Sequence, residues 1–228
     1  MLVQLLTHTP DPEAVVAAAA RLCYSPSSID QLLEKSRVDR DDLLRKILSL
    51  GHTSVLEHAN FTFGIEGISR ACSHQLVRHR LASYAQQSQR YVSHKERFAA
   101  VTPPSIEQRP ELLQRYQSLL DEIHGVYREL IDAGVPAEDA RFVLPNAAQT
   151  KLVLSMNARE LLHFFNLRCC RRAQWEIRGM AKEMLRLLRP VAPLIFAQAG
   201  PGCLQGACPE GAMSCGAIKA VRQEYADL

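Results

Sequence analysis

Several features that usually announce a function are missing from this sequence. It has no GxGxxG run and no GxxxxGK loop followed by Ser or Thr. Any nucleotide must therefore be gripped by side chains rather than by a glycine-lined backbone cradle. No apolar run approaches the roughly 18 residues of a membrane span. The opening MLVQLLTHTPDPE lacks the basic start and small-residue cleavage site of a secretory signal. A net charge of only +3 is too small for a general polyanion binder. Aromatic residues are 6% of the chain, a thin supply for the stacking platforms of an RNA-binding module. Neither nucleic acid nor membrane is expected as a partner. The seven cysteines are odd in number, and Cys23, Cys72, Cys169 and Cys170 lie in apolar or helical contexts, which suits reduced thiols in a cytoplasmic protein.

What is present is enough for a real core: 47% apolar and 22% charged residues in a chain of 228. That length suits one generous domain, taken as residues 1–198, with a Gly- and Cys-containing tail at 199–228. MLVQLLTHT has the content of a first strand. PDPEAVVAAAARLCY and DRDDLLRKILSLG each place acids early and basic residues late, and Gly51 stops the second. ANFTFGIEG alternates, with Phe61, Phe63 and Ile65 on one face of a strand. ISRACSHQLVRHR reads as a helix, residues 110–134 as a long amphipathic helix, and AEDARFVLP as a short one stopped by Pro145. TKLVLSM is strand-like, and one or two helices follow from Asn157 to Gln198. Few strands among many helices, without regular alternation, predict an α+β fold with a mixed sheet packed against long helices.

Three groups of residues carry chemistry. The first is RHRLASYAQQSQRY, residues 78–91, which holds Arg78, His79, Arg80 and Arg90 with no acid among them. Guanidinium forks match phosphate with paired bonds. In an extended segment Arg78 and Arg80 share a side, as do Ser88 and Arg90. Gln86, Gln87 and Gln89 carry amides able to read the edge of a base or a flavin ring. The second group is MNARELLHFFNLRCC. Helical spacing puts Asn157, Leu161, Phe164 and Arg168 on one stripe and Arg159, His163 and Asn166 on another. The third is GHTSVLEHANF, where His52, Ser54, Glu57 and His58 crowd a loop. It is not a zinc HExxH pattern, and Ser54 and Glu57 suit a cap or hydrogen-bond network. A solvated basic loop with RNA contacts from Tyr84 and Tyr91 is the plain alternative for the first group.

In sequence order these pieces resemble the flavin-dependent thymidylate synthases. That family's signature is Arg-His-Arg, seven residues, then Ser; here it is Arg78-His79-Arg80, LASYAQQ, Ser88. GHTSVLEH, RFVLP, MNAR, NLR and AQWEIR match in register, so the resemblance covers about residues 1–195. It implies an α+β homotetramer with active sites shared between subunits. It also implies conversion of dUMP to dTMP, with methylenetetrahydrofolate as carbon donor, FAD as hydride carrier and NADPH as reductant. By position, the resemblance assigns FAD to Arg78, His79, Arg80, Ser54, Asn157, Arg159 and His163, with His52 at the flavin and folate face and Gln86 in contact. It assigns dUMP to Gln75, Arg78, Gln86, Gln87, Ser88, Gln89, Arg90, Arg141 and Arg168. His163 stands where many relatives carry Asn. Ala85-Gln86-Gln87 stands where others carry Asn-Glu-Leu; Gln86 keeps the shape of Glu without its charge and so binds but does not act as a base.

Carbon 5 of uracil is a poor nucleophile and must be activated. Arg168 is expected to do this by stabilising charge on the pyrimidine, as an oxyanion hole does. Cys169 and Cys170, among arginines, are the other candidates, as a thiolate attacking carbon 6; the family does not keep a cysteine there, and packing is the expected role. No metal is assigned. Loose reduced thiols on a coil are the expectation for Cys203, Cys208 and Cys215 in the tail; they could bind a metal only with a fourth ligand from elsewhere, and such a scaffold would unfold on chelation.

Overall fold

The computed structural model describes residues 1–92 and 97–228. In chain order the elements are β1 (Leu2–His8), α1 (Pro12–Leu22), α2 (Ile29–Val38), α3 (Asp41–Ser49), a 3-10 turn (Thr53–His58), β2 (Asn60–Ser69), α4 (Arg70–Leu76) and β3 (Ala82–Gln86). There follow α5 (Pro104–Glu107), α6 (Pro110–Asp132), α7 (Ala137–Ala140), a 3-10 turn (Arg141–Val143), β4 (Gln149–Asn157), α8 (Ala158–Arg168) and α9 (Trp175–Leu188). The chain closes with α10 (Pro193–Phe196), 3-10 turns at Gly202–Leu204 and Gly211–Met213, and α11 (Ile218–Ala226). The strands form a four-stranded sheet of order β1-β2-β4-β3. It is antiparallel, not the mixed sheet the sequence suggested. No crossover helix has to return the chain to the same end of the sheet, so each neighbour can run opposite to the last.

Two compact units can be distinguished. One comprises Met1–Leu2, Ile65–Arg78 and Tyr84–Val153. Its local core gathers Phe98, Leu120 and Ala148, with Tyr116, Ile123 and Leu144 packed around them. Helix α6 supplies several of these side chains and starts with Pro at its first turn, where a missing N–H costs nothing. On the flank of that packed face Leu112, Leu119 and Val126, spaced by seven, are exposed.

The other unit comprises Val3–Gly64, His79–Ser83 and Leu154–Leu228. Phe61 and Phe63 of β2 are wholly buried, each worth about 2–3 kcal/mol of apolar transfer. Phe61 meets the edge of Phe196, and Phe165 packs on the same ring. Helix α3 ends at Gly51, whose φ of 71° is the left-handed conformation a helix stop favours. Glu13, buried in the first turn of α1, accepts bonds from the backbone N–H groups of Leu194 (2.6 Å) and Ile195 (3.2 Å). It thereby caps α10 from across the unit.

Three local expectations change. The helix read over 68–80 ends at Leu76, so Arg-His-Arg follows it and lies outside the helix. Helix α2 was not anticipated, although Ser28 and Gln31 form a capping box at its start. The tail is no loose coil: it ends in α11, with Val221 and Tyr225 buried.

Candidate active site

The signature segment divides its residues by burial. Arg78 and Arg80 are exposed while His79 between them is 4% exposed. Within the second unit, Arg168 at the end of α8 donates from Nε to His79 Nε2 at 3.0 Å. Arginine can only donate, so Nε2 must be the unprotonated nitrogen and Nδ1 carries the hydrogen. Nδ1 faces Glu160 Oε1 at 3.4 Å. The ring also lies edge-on to Phe164 (4.9 Å) and His163 (5.9 Å). Burial, then the Arg168 guanidinium and His163, push the His79 imidazole down to about 4. His79 is neutral at pH 7, a fixed link between a carboxyl group and Arg168. Glu160 went unnoticed in the sequence; burial raises its carboxyl above the ordinary range.

Helix α8 delivers the two stripes expected of it. Leu161 and Phe164 are buried, Arg168 is half-buried, and Arg159, His163 and Asn166 are exposed. Asn157 is the N-cap, its side-chain oxygen accepting from the Glu160 N–H at 2.9 Å. Arg159 Nη1 meets Glu57 Oε1 at 2.5 Å, the network partner expected for Glu57. His52, Ser54 and Arg159 line an open cleft of about 670 Å³, with Tyr24, Lys35 and the apolar Leu32, Ile47 and Val55 on its walls. That volume lies in the usual range of about 300–1,000 Å³ for small-molecule sites.

A second group forms within the first unit. Gln86 Nε2 donates to Ser73 Oγ and Thr150 Oγ1, both at 3.0 Å, so its amide hydrogens are engaged. The Gln87 N–H bonds the Lys151 carbonyl. Beyond β3 the chain turns: Ser88 Oγ accepts from the Arg90 N–H at 3.1 Å, and Gln89 is half-buried in that turn. Gln75 reaches back along α4 to the Ala71 carbonyl at 3.4 Å.

Arg90 does have an acid, though a distant one. Its Nε meets Glu138 Oε2 at 2.8 Å, and Arg141 Nε donates to the Glu138 main-chain oxygen at 3.0 Å. Both side chains of the Arg90–Glu138 pair are about half exposed, so the bond is worth at most about 1 kcal/mol and exchanges readily. Arg70, absent from the sequence reading, joins them: burial and the neighbouring Arg141 guanidinium both lower its pKa. Crowding guanidinium groups costs energy unless an anion shares them. A cue existed in the sequence, since Arg70 opens a helix directly after a strand.

Cys169 is 1% exposed, and burial pushes its thiol up to about 12. It stays protonated near neutrality and cannot supply a thiolate nucleophile.

These observations define the class: an α+β protein with an antiparallel sheet and two clusters rich in arginine, histidine and glutamine. Comparison with known proteins gives the family. Residues 4–194 match the family described as Thymidylate synthase complementing protein. The chain is 61% identical to a flavin-dependent thymidylate synthase of Geobacter sulfurreducens, over 100% of this chain and 99% of that one. It is 45% identical to the protein of the same name from Clostridium tetani, covering 98% and 96% of the two chains. It is 44% identical to that of Pyrococcus furiosus, again covering 98% and 96%. The chain belongs to the flavin-dependent thymidylate synthase family.

Proposed function

We propose that this chain converts dUMP to dTMP by flavin-dependent reductive methylation, with residues 1–198 as the synthase region. The observation that carries the reading is its full-length likeness to proteins named for that activity. The donor set of the cleft fits FAD. Arg159 and Ser54 suit a pyrophosphate, Leu32, Ile47 and Val55 suit a ring system, and His52 suits the face toward folate. Arg78, Arg80, His163 and the free amide hydrogens of Asn157 complete the grip. His79 contributes by holding Arg168. The chemistry FAD supplies when bound is hydride transfer, with NADPH restoring its reduced form and methylenetetrahydrofolate providing the carbon.

Arg90, Arg141, Ser88 and the newly noticed Arg70 are assigned to the dUMP phosphate. A dianion outcompetes Glu138 for Arg90 because their mutual pair is weak. Gln75, Arg78, Gln86, Gln87 and Gln89 are assigned to the nucleoside, Gln86 through its amide oxygen. Arg168 faces the pyrimidine and stabilises charge developing at N3 and O2, an effect worth about 3 kcal/mol when a preorganised donor is removed. A guanidinium held by a neutral imidazole keeps its full charge and a fixed direction. The exposed Leu112, Leu119 and Val126 stripe of α6 suits a helix of a second copy, in keeping with a homotetramer sharing its sites. Among the described residues no helix is long and apolar enough to cross a membrane.

The test is direct. Purified full-length protein with dUMP, methylenetetrahydrofolate and NADPH should yield dTMP with FAD and none after flavin removal. Equal yield without flavin, or no dTMP with every component present, would overturn the reading.

A further inference from the structure

The tail brings its cysteines to the end of α8. Helix α11 holds both neighbours of Cys170: Tyr225 Oη donates to the Cys169 carbonyl at 3.2 Å, and Glu224 pairs with Arg171 at 3.1 Å and with Lys182 at 3.0 Å. From the same helix Arg222 donates to the Cys203 carbonyl at 3.0 Å and the Gly206 carbonyl at 2.7 Å. Gly202 lies so close to α8 that a Cβ there would stand 3.0 Å from Asn166 Oδ1 and 3.0 Å from Pro209 Cγ. Thus the residue before Cys203 and the residue after Cys208 pack together, against a side chain four residues before Cys170. Cys215 sits just ahead of α11. Cys203 is buried, Cys170 and Cys208 are half-buried and Cys215 is exposed, all as free thiols. Burial raises the Cys203 pKa, and Cys208, Cys170 and Cys215 each lie within electrostatic reach of Cys203.

We propose that Cys170, Cys203, Cys208 and Cys215 form a four-sulfur site for one thiophilic metal ion, zinc(II) or iron, that fastens the tail to the end of α8. Three tail thiols lack a ligand in the sequence; the fold supplies it as Cys170. Four sulfur donors leave no open position, which makes the site structural rather than catalytic. Among the described residues no three His, Cys, Asp or Glu side chains stand at metal-holding spacing. In the proposed site the shared cation offsets the repulsion between thiolates, and its binding requires the Gly-rich turns at 202–216 to draw inward around buried Cys203. Each thiol that binds exchanges its S–H for an S–metal bond and releases a proton, without oxidation or reduction. The proposal does not depend on the dTMP-forming activity.

Elemental analysis of full-length protein, purified anaerobically with a thiol reductant, tests it. About one zinc or iron per chain is expected, falling to below about a tenth in Cys203→Ser and Cys208→Ser while Cys23→Ser keeps it. Iron is told from zinc in the same measurement and by visible absorption that a reductant bleaches. Because a serine variant can fail to fold, the wild type is also stripped with chelator and titrated with cobalt(II). Intense d–d bands to the red of the flavin, saturating at one equivalent, report tetrahedral sulfur ligation. Metal-free wild type that gives no such bands overturns the proposal. So does metal retained by both tail variants, or disulfides among these four cysteines in the anaerobic protein.

Discussion

Acidifying the protein should destabilise its fold by way of His79. The folded-state pKa of His79 is about 4, against an ordinary 6.5, because the ring is buried beside a guanidinium. Below pH 6.5 the unfolded chain takes up a proton that the folded chain refuses, so unfolding becomes easier. The His79 contribution is complete above 6.5 and is lost between 6.5 and about 4. From roughly pH 7.5 to roughly pH 4.5 the loss is about 2.5 kcal/mol, or some 5–10 °C in Tm for a chain of this size. Urea and thermal melts across that window, on wild type and His79→Gln, isolate it. Ordinary carboxylates titrate alike in both proteins and cancel in the difference. The wild type should shed about 2.5 kcal/mol more than the variant. Parallel curves would refute the account of a buried, neutral His79.

Other expectations concern the two clusters and the scaffold. Arg168→Ala should keep its yellow flavin and lose about 100-fold in dTMP formation, from about 3 kcal/mol of lost stabilisation. Near-normal turnover would remove Arg168 from the chemistry. Arg78→Ala should purify largely colourless, and full flavin retention at 450 nm would undo its assignment to FAD. Arg90→Ala should raise KM for dUMP about 10–100-fold, whereas Glu138→Ala should leave it unchanged or lower it; equal increases in both would point to a purely structural pair. Glu13→Ala should cost about 2–3 kcal/mol in urea melts, because two N–H groups of α10 lose their partner; a cost below about 0.5 kcal/mol would contradict the capping role.

Much of the fold was legible wherever local chemistry decides it. The alternation in β2, the Gly51 stop of α3 and the two stripes of α8 are set by residues a few positions apart, and all appear as read. Helix α2 was legible through Ser28 and Gln31 but overlooked, since its polar body gives a weak apolar period. The signature helix was read too far because Arg78 and Arg80 are good helix formers; tertiary context overrode that preference. The sheet direction was beyond local reading, because pairing joins residues such as Thr62 and Ser155 across long stretches of chain.

The site divides the same way. That Arg78 and Arg80 are exposed follows from their charge. That His79 between them is buried does not, because its partners Glu160 and Arg168 come from a helix some 80 to 90 residues on. The acid for Arg90 lies 48 residues away at Glu138. The crowding of Arg70 with Arg141 likewise appears only once the chain is folded. In each case residue type announced the chemistry, and only the fold could tell which partner would answer.

Helix α11 has a practical consequence. Tyr225 and Glu224 anchor to Cys169 and Arg171, the positions just past Arg168. The final turn of α8 is therefore buttressed by residues lying after the stretch that defines the family. Truncating the gene at that boundary would leave Arg168, the side chain proposed to activate the pyrimidine, without its backstop. Anyone transplanting α8 into another scaffold would need to carry α11 along with it.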